Sequence, residues 1–395
     1  MEAIRGRLLD TRRRLKEITA YFLRAGALGF GGPLALIAAF QRDLVEREKW
    51  IEQKEFARAL ALIKALPGPT ATQLAIRLGA IRGGKIGGLV AGVCLITPSF
   101  FMMVLLGSFY GSFAAAPETK TVLFGVQCAA FGVIAESALR LARPYQKSLR
   151  FWIMAILSAA VTLWRPSLEP LVILGAGLFG AFGISLLSRQ TLKVVIPAAA
   201  FANPGMALTT EVSTISSLPI LTKLFAICLK AGTLVFGTGL AIVPLLAHDV
   251  VDTHHWLTQP QFMDALAFGQ VTPGPVLISA SFIGYRVAGL LGALVATLGV
   301  FGPAFFNMLT WFPLAERAVG DSPRTRSFVE FAVAAVIGAI LVSLTRLGAS
   351  LYAANPGFSG ILIAFAALSL CLLSKLPVWL VIPAGGLAAL ILNSF

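Results

Sequence analysis

Arg24, Lys64, Arg140, Lys230 and Arg346 are cations set inside segments that are otherwise apolar. Charges in such places are costly and mark ion or substrate paths. When the chain is slid against itself, Arg24 falls on Lys230, Arg140 on Arg346 and Lys64 on Gln270. The clearest buried carboxylate is Glu136, four residues before Arg140 and able to pair with it along a helix; its counterpart is Val342. An apolar interior richer in cations than in carboxylates suits an anion. Glu136 is the candidate carrier if protons are coupled to its movement. The competing reading places the cations at helix ends, with their head groups reaching the membrane interface.

A second set of groups attracts anions without side-chain charge. Pro67-Gly68-Pro69 and Pro273-Gly274-Pro275 occupy matching positions in apolar surroundings. Such a triplet stops a helix and cannot lie in a central strand. A helix restarting at Thr70 or Val276 presents unpaired N–H groups and the positive end of its dipole, a ready seat for an anion. Phe30-Gly31-Gly32 and Phe236-Gly237-Thr238 would let backbone approach a ligand closely. Thr70, Thr72 and Gln73 in one copy, with Gln270, Thr272, Ser279 and Ser281 in the other, complete a candidate oxyanion site. The bland alternatives are kinks that serve packing, and hydroxyls that bond back to their own helix.

Other chemistries find little support. His248, Asp249, Asp252, His254 and His255 have metal-ligand types, but the matching stretch RDLVEREKW has no histidine, so a solvated loop is expected. Cys94, Cys128, Cys228 and Cys371 each stand alone in an apolar segment, as small core residues do. No nucleotide-binding, dinucleotide-binding or haem motif and no catalytic constellation is visible. An enzyme, a cofactor and a metal site are therefore not expected. The net charge of +14 is spread over short loops (Arg77, Arg82, Lys85; Arg143, Lys147, Arg150; Arg324, Arg326), which points to lipid anchoring rather than nucleic acid.

The elements that must hold these residues are membrane helices. The chain has 395 residues, 57% hydrophobic and 13% charged, with a mean hydropathy of +0.84. Apolar runs such as 87–111 and 168–187 are long enough to span a bilayer. The expected fold is an all-α polytopic membrane protein.

Residues 24–69 lie on 230–275 without a gap, sharing Phe30/Phe236, Gly31/Gly237, Asp43/Asp249, Trp50/Trp256 and Phe56/Phe262. The match resumes at 84–103 against 289–308 and fades near 137–142 against 343–348. Two homologous halves follow: a cytoplasmic amphipathic lead-in at 1–17, a first repeat at 18–187, a linker at 188–222 and a second repeat at 223–395. The lead-in superficially resembles a twin-arginine export signal. Arg24 within the apolar stretch and the lack of a small-residue cleavage site argue against one.

Each half reads as a first helix interrupted at FGG or FGT, a loop with Trp and Phe, a short helix into Pro-Gly-Pro, and a restart. Long helices are expected at 86–110 and 118–142, then a pair at 151–165 and 168–187. Their partners are expected at 288–313, 328–346, 358–373 and 376–393. Segments 56–66 and 70–80 would each make about 16 Å of helix, roughly half of a ~30 Å core. As re-entrant hairpins they leave an odd number of spans per half and make the halves inverted repeats. Loop 41–58 carries Arg42, Arg47, Lys49, Lys54 and Arg58 while 247–264 carries no Lys or Arg, the opposite bias expected of inverted loops. A basic N-terminus before a single span argues the other way.

The combination of FGGP at 30–33, Trp50, PGPTATQ at 67–73, Gly79 and the glycines of 83–88, repeated as FGTG, Trp256, TPGP and Gly284, resembles the chromate ion transporter family in its long two-domain form. The resemblance spans nearly the whole chain. FGTG lacks the proline of the first copy, and Ser279 replaces Gln73, so a site lined by both halves would be asymmetric. The resemblance implies export of chromate through the bacterial inner membrane, with resistance as the outcome and isosteric sulfate as competitor. The rivals are a proton-coupled sulfate or other oxyanion importer and an anion channel. The expected partners are a chromate- or sulfate-like dianion and the lipid bilayer. Oligomeric state, a homodimer included, stays open.

Overall fold

A computed structural model describes residues 2–114, 116–183, 218–235, 239, 242–313, 323–374 and 376–393. Phe236, Gly237, Thr238 and most of the 188–222 linker lie outside them. The described backbone is helical, without strands. The first half contains α1 (Glu2–Leu28), α2 (Gly32–Phe40), α3 (Gln53–Ala65), α4 (Thr70–Phe113), α5 (Pro117–Ala142), α6 (Leu149–Trp164) and α7 (Glu169–Leu178). The second repeats them in order as α8 (Leu218–Leu234), α9 (Ile242–Ala247), α10 (Gln259–Val271), α11 (Ser279–Phe306), α12 (Pro323–Ala354), α13 (Phe358–Leu373) and α14 (Val378–Asn393). Four stretches, Thr70–Phe113, Glu118–Tyr145, Val276–Thr310 and Arg326–Ala354, are long and apolar enough to cross a membrane. They stand at equivalent places in the two halves, and the protein is a multi-pass membrane protein.

The duplication extends to single dihedral angles. Trp50 N–H donates to the Leu44 carbonyl at 2.7 Å, and Trp256 N–H to the Val250 carbonyl at 2.9 Å. Lys49 and His255 share a positive φ, 52° and 51°. One expectation needs correction here. The loops expected at 41–58 and 247–264 are largely helical, through the π-helical turns Gln41–Arg47 and His248–Thr253 and the starts of α3 and α10. Helix α1 runs unbroken through residue 17.

Both α4 and α11 contain a sharp reversal. Non-helical angles occur at Gly83 and Gly84 (φ 66°, ψ −164°) in one, and at Ala288 and Gly289 (φ 59°, ψ −150°) in the other. Only glycine adopts that conformation without strain. Beyond each reversal the chain folds back on itself. A Cβ on Gly79 would fall inside 3.0 Å of the Gly87 carbonyl oxygen, and one on Gly284 equally close to that of Gly292. Each half therefore holds a hairpin of a short helix, a Pro-Gly-Pro turn and a second short helix, braced against the long span that follows.

The halves interlock rather than sit side by side. The last helix pair of the second half, α13 and α14, packs on α5, while α6 and α7 pack on α12. Bare glycines permit the approach, with Gly125 against the Gly385 carbonyl, Gly132 against that of Ala364 and Gly338 against that of Ala155. Lipid is as apolar as leucine, so close backbone packing of this kind is what holds membrane helices together. Across the centre α4 and α11 run antiparallel: Gly88 faces Leu309, Gly92 faces Phe305 and Gly107 faces Tyr285.

Candidate functional site

The two Pro-Gly-Pro turns are built alike and held by each other's half. After α3, Leu66 is extended and Gly68 takes φ 127°, so that Pro69 caps α4. After α10, Thr272 is extended and Gly274 takes φ 102°, so that Pro275 caps the 3-10 turn Val276–Ile278 leading into α11. Gly68 N–H donates to the Val235 carbonyl at 2.6 Å, and Gly274 N–H donates to the Gly29 carbonyl at 3.1 Å. Gly29 and Val235 immediately precede the FGG and FGT motifs. Each turn is thus tied to the interrupted first helix of the opposite half.

Further cross-links hold the carbonyls of the turns. Pro67 O accepts from Gln73 Nε2 at 2.7 Å and from Asn307 Nδ2 of the other half at 3.0 Å. Pro273 O accepts from Ser99 Oγ of the other half at 2.5 Å. Gly31 and Gly32, with φ 100° and 72°, open the chain into α2, and Gly32 lies against Val276 at the second helix start. Phe30 packs on Trp379 of α14, ring centroids 5.3 Å apart.

The residues at the two turns are buried: Pro67, Gly68, Pro69, Thr70 and Gln73 in one half, and Thr272, Pro273, Gly274, Pro275 and Ser279 in the other. Thr72 Oγ1, Gln73 Oε1 and Ser279 Oγ have no hydrogen-bond partner within the protein. Buried polar atoms are normally satisfied, so these three mark a place where a polar ligand or water completes the set. The first N–H groups of a helix also lack intrahelical partners. The Thr72 and Ser279 hydroxyls and the helix-start N–H groups are neutral donors in a helix-dipole field, suited to holding an anion, while Gln73 Oε1 can only accept, as from a water.

The cations do not join this cluster. Arg24 and Lys64 are exposed. Arg140 Nε donates to Glu136 Oε1 at 2.7 Å, Lys230 pairs with Asp249, and Arg346 sits 3.3 Å from Asp252. Gln270 is buried on α10, near its C-terminal end. Lys230 and Asp249 are partly buried, with 32% and 13% of their side chains exposed, so their attraction is only partly screened. A double-mutant cycle is expected to show it. Lys230→Ala and Asp249→Ala should each lower the melting temperature in detergent. The double variant should fall no further than the worse single one, a coupling of about 1 kcal/mol.

Among the described residues no three His, Cys, Asp or Glu side chains converge, those of the histidine-bearing turn included. His254 stacks on Trp256 with ring centroids 4.7 Å apart. Burial, followed by the positive charge of Lys223, holds its imidazole below the usual range.

Sequence reasoning missed several polar residues. Arg77 and Arg82 were expected in a lipid-anchoring loop but belong to the first part of α4. Arg77 lies over the Phe312 ring at 5.1 Å, while Arg82 lies over Trp50 at 5.4 Å and bonds Glu17 at 2.8 Å. Asp264 was counted with the loop 247–264, but it sits on α10, 1% exposed and bonded to Tyr110 and Gln127. A carboxylate amid MDALAFG was the available signal.

The model of a family described as chromate transporter matches residues 16–181 and 222–390. The chain is 39% identical to the chromate transport protein of Cupriavidus metallidurans, over 82% of this chain and 80% of that one. It is 36% identical to a probable chromate transport protein of Synechococcus elongatus, over 85% and 84%. It is 31% identical to the chromate transport protein of Pseudomonas aeruginosa, over 82% and 79%. No solved structure matches it.

Proposed function

The chain belongs to the chromate transporter family, and we propose that it is a secondary transporter exporting chromate across the bacterial inner membrane, so conferring resistance. The observation that carries this reading is the reciprocal tie of Gly68 to Val235 and of Gly274 to Gly29. It draws two broken helices, one from each half, into a single buried place lined by neutral donors. Paired broken helices at a repeat interface are the usual setting of a transporter's substrate site. The relatives named as chromate transport proteins support a chromate-like dianion as the substrate.

In this reading the halves are inverted repeats. Equivalent helices α4 and α11 pack antiparallel, which supports a pseudo-twofold axis in the membrane plane. Helix α3, at 13 residues, is about 20 Å long and too short for a ~30 Å core. It forms a re-entrant hairpin with the start of α4, as α10 does with the start of α11. The anion is held by the helix starts at Thr70 and Val276, with the Thr72 and Ser279 hydroxyls as donors, while Gln73 braces the turn through Nε2 on Pro67 O. Exposed Arg24 and Lys64 make its approach electropositive. Substrate release on the other side follows from rocking of one interlocked unit against the other.

The energetics suit export. Moving one charge through 100 mV is worth about 2.3 kcal/mol, so a dianion leaving down a potential of ~150 mV, inside negative, gains roughly 7 kcal/mol. In everted membrane vesicles this becomes uptake. Chromate is expected to accumulate several-fold under an inside-positive potential, with sulfate suppressing it. Absence of accumulation in vesicles that contain folded protein would falsify the export assignment. Uptake requiring a proton gradient instead would favour the importer reading, and single-channel currents would favour a channel.

A further inference from the structure

Asp264 lies where the two halves meet and is enclosed more tightly than its charge would favour. Its side chain belongs to α10 of the second half, but both of its hydrogen-bond donors come from the first. Tyr110 Oη, near the end of α4, donates to Oδ2 at 2.5 Å. Gln127 Nε2, on α5, donates to Oδ1 at 2.8 Å and also reaches Pro260 O at 3.4 Å. Among the described residues no cation lies within ion-pair distance of it. Glu136, the carboxylate that stands out in the sequence, has Arg140 beside it at 2.7 Å and so keeps its counter-charge. The position equivalent to Asp264 in the first half is Arg58. The carboxylate is thus a feature of one half alone.

The charged groups around it are few. Arg286 of α11 lies over the Tyr110 ring at 5.2 Å, on the tyrosine rather than on Asp264. Tyr110 is itself edged by Phe113, Phe268 and Phe282. Of the other helices packed against α10, α9 and α14 carry no ionisable residue. On α5, Glu118 and Lys120 are exposed at the first turn and Glu136 pairs with Arg140. On α12, Glu330 accepts from Ser148 and Arg346 pairs with Asp252; Arg324 and Arg326 belong to its first turn. Among the described residues no ion pair neutralises Asp264, which leaves a proton to do so.

We infer that Asp264 is a proton-binding site whose occupancy is coupled to the anion held at the Pro-Gly-Pro turns, a proposal that rests on the oxyanion reading above. Asp264 and Gly274 are parts of one hairpin arm. Seven helical steps at 1.5 Å and three extended ones beyond Val271 keep them within about 20 Å of each other. A carboxylate and a dianion at that separation repel across a low-dielectric interior. A proton on Asp264 removes the repulsion, so proton and anion strengthen each other's binding by one and the same factor. Protonation also converts a two-acceptor carboxylate into an acid with one donor. This loosens the tie of α10 to α4 and α5. Buried carboxylates between moving helices are the common proton carriers of membrane transporters.

The test uses the purified full-length protein in nanodiscs, with sulfate as probe because it remains a dianion throughout. Binding is measured calorimetrically at about pH 8 and about pH 5.5. Wild type is expected to bind sulfate about tenfold more tightly at the lower pH, within the usual range of coupling between sites. Asp264→Asn should bind equally at both, at the tighter strength, and Asp264→Glu should keep the pH dependence. PH-independent binding by wild type overturns the proposal, as does an Asp264→Asn variant that keeps the wild-type dependence. Either outcome leaves the oxyanion site standing. Failure of wild type to bind sulfate or chromate at either pH overturns both readings.

Discussion

Gly274→Ala is expected to reduce chromate uptake into everted vesicles by about 100-fold while the protein still reaches the membrane. Gly274 has φ 102°, a conformation that costs a residue with a Cβ about 1–3 kcal/mol. The new methyl would also fall inside 3.0 Å of Ser99 Oγ, the atom that donates to Pro273 O at 2.5 Å. Alanine therefore displaces Ser99, frees a buried carbonyl and pushes the turn off the Gly29 carbonyl that anchors it. A buried acceptor left without its donor costs a further 1–3 kcal/mol or about that. The loss falls on the one segment that presents the second helix start to the ligand.

Two companions separate this from general damage. Gly302→Ala, in the same chain segment as Pro303, places its methyl in open space and should leave uptake within about twofold, since alanine favours helix over glycine. Ser99→Gly combined with Gly274→Ala removes the clash but neither the dihedral cost nor the lost bond, so it should recover only part of the rate. Wild-type uptake by Gly274→Ala would show that the turn does not hold the substrate.

Local features of the chain were readable because they repeat. The duplication, the order of helices and the two Pro-Gly-Pro breaks follow from residues such as Phe30/Phe236 and Trp50/Trp256, which recur at fixed spacing. Long-range features left no such trace. The exchange of the last helix pairs depends on Gly125 meeting Gly385 and Gly132 meeting Ala364. Glycine is so frequent in membrane helices that this use cannot be told from its other uses. The conserved pairing of cations in both halves pointed to a binding role. In three dimensions Lys230 and Arg346 face Asp249 and Asp252, residues set aside as a solvated loop. Asp264 was hidden for the opposite reason: its counterpart Arg58 differs in sign, so a search for what both halves share passes over it. Features that break the repeat can be read only once the fold shows what surrounds them.

Gly284→Ala is expected to be strongly destabilising, with a loss of about 3 kcal/mol and a large fall in the yield of folded protein. At this position the returning arm of the hairpin crosses the long span that follows. The added Cβ would meet the Gly292 carbonyl oxygen and the Ala296 Cβ, both inside 3.0 Å. One obstacle is backbone and the other has no rotamer to change, so the two helices must separate. Separation opens the reversal at Ala288 and Gly289 and pulls α11 away from the Pro-Gly-Pro turn. Gly79→Ala makes the same test in the first half, against the Gly87 carbonyl and Ala91. Thermal melts in detergent of both variants and of the double variant then report how the halves are joined. If the hairpins were independent, their losses would add within about 0.5 kcal/mol. The interlock of α5 with α13 and α14, and of α12 with α6 and α7, implies otherwise. Once one hairpin is displaced, the shared centre around Gly68, Val235, Gly274 and Gly29 is already lost, so the second substitution should cost less than the first. Strict additivity would mean that the two halves fold as separate units and that the cross-links at the turns carry no stability.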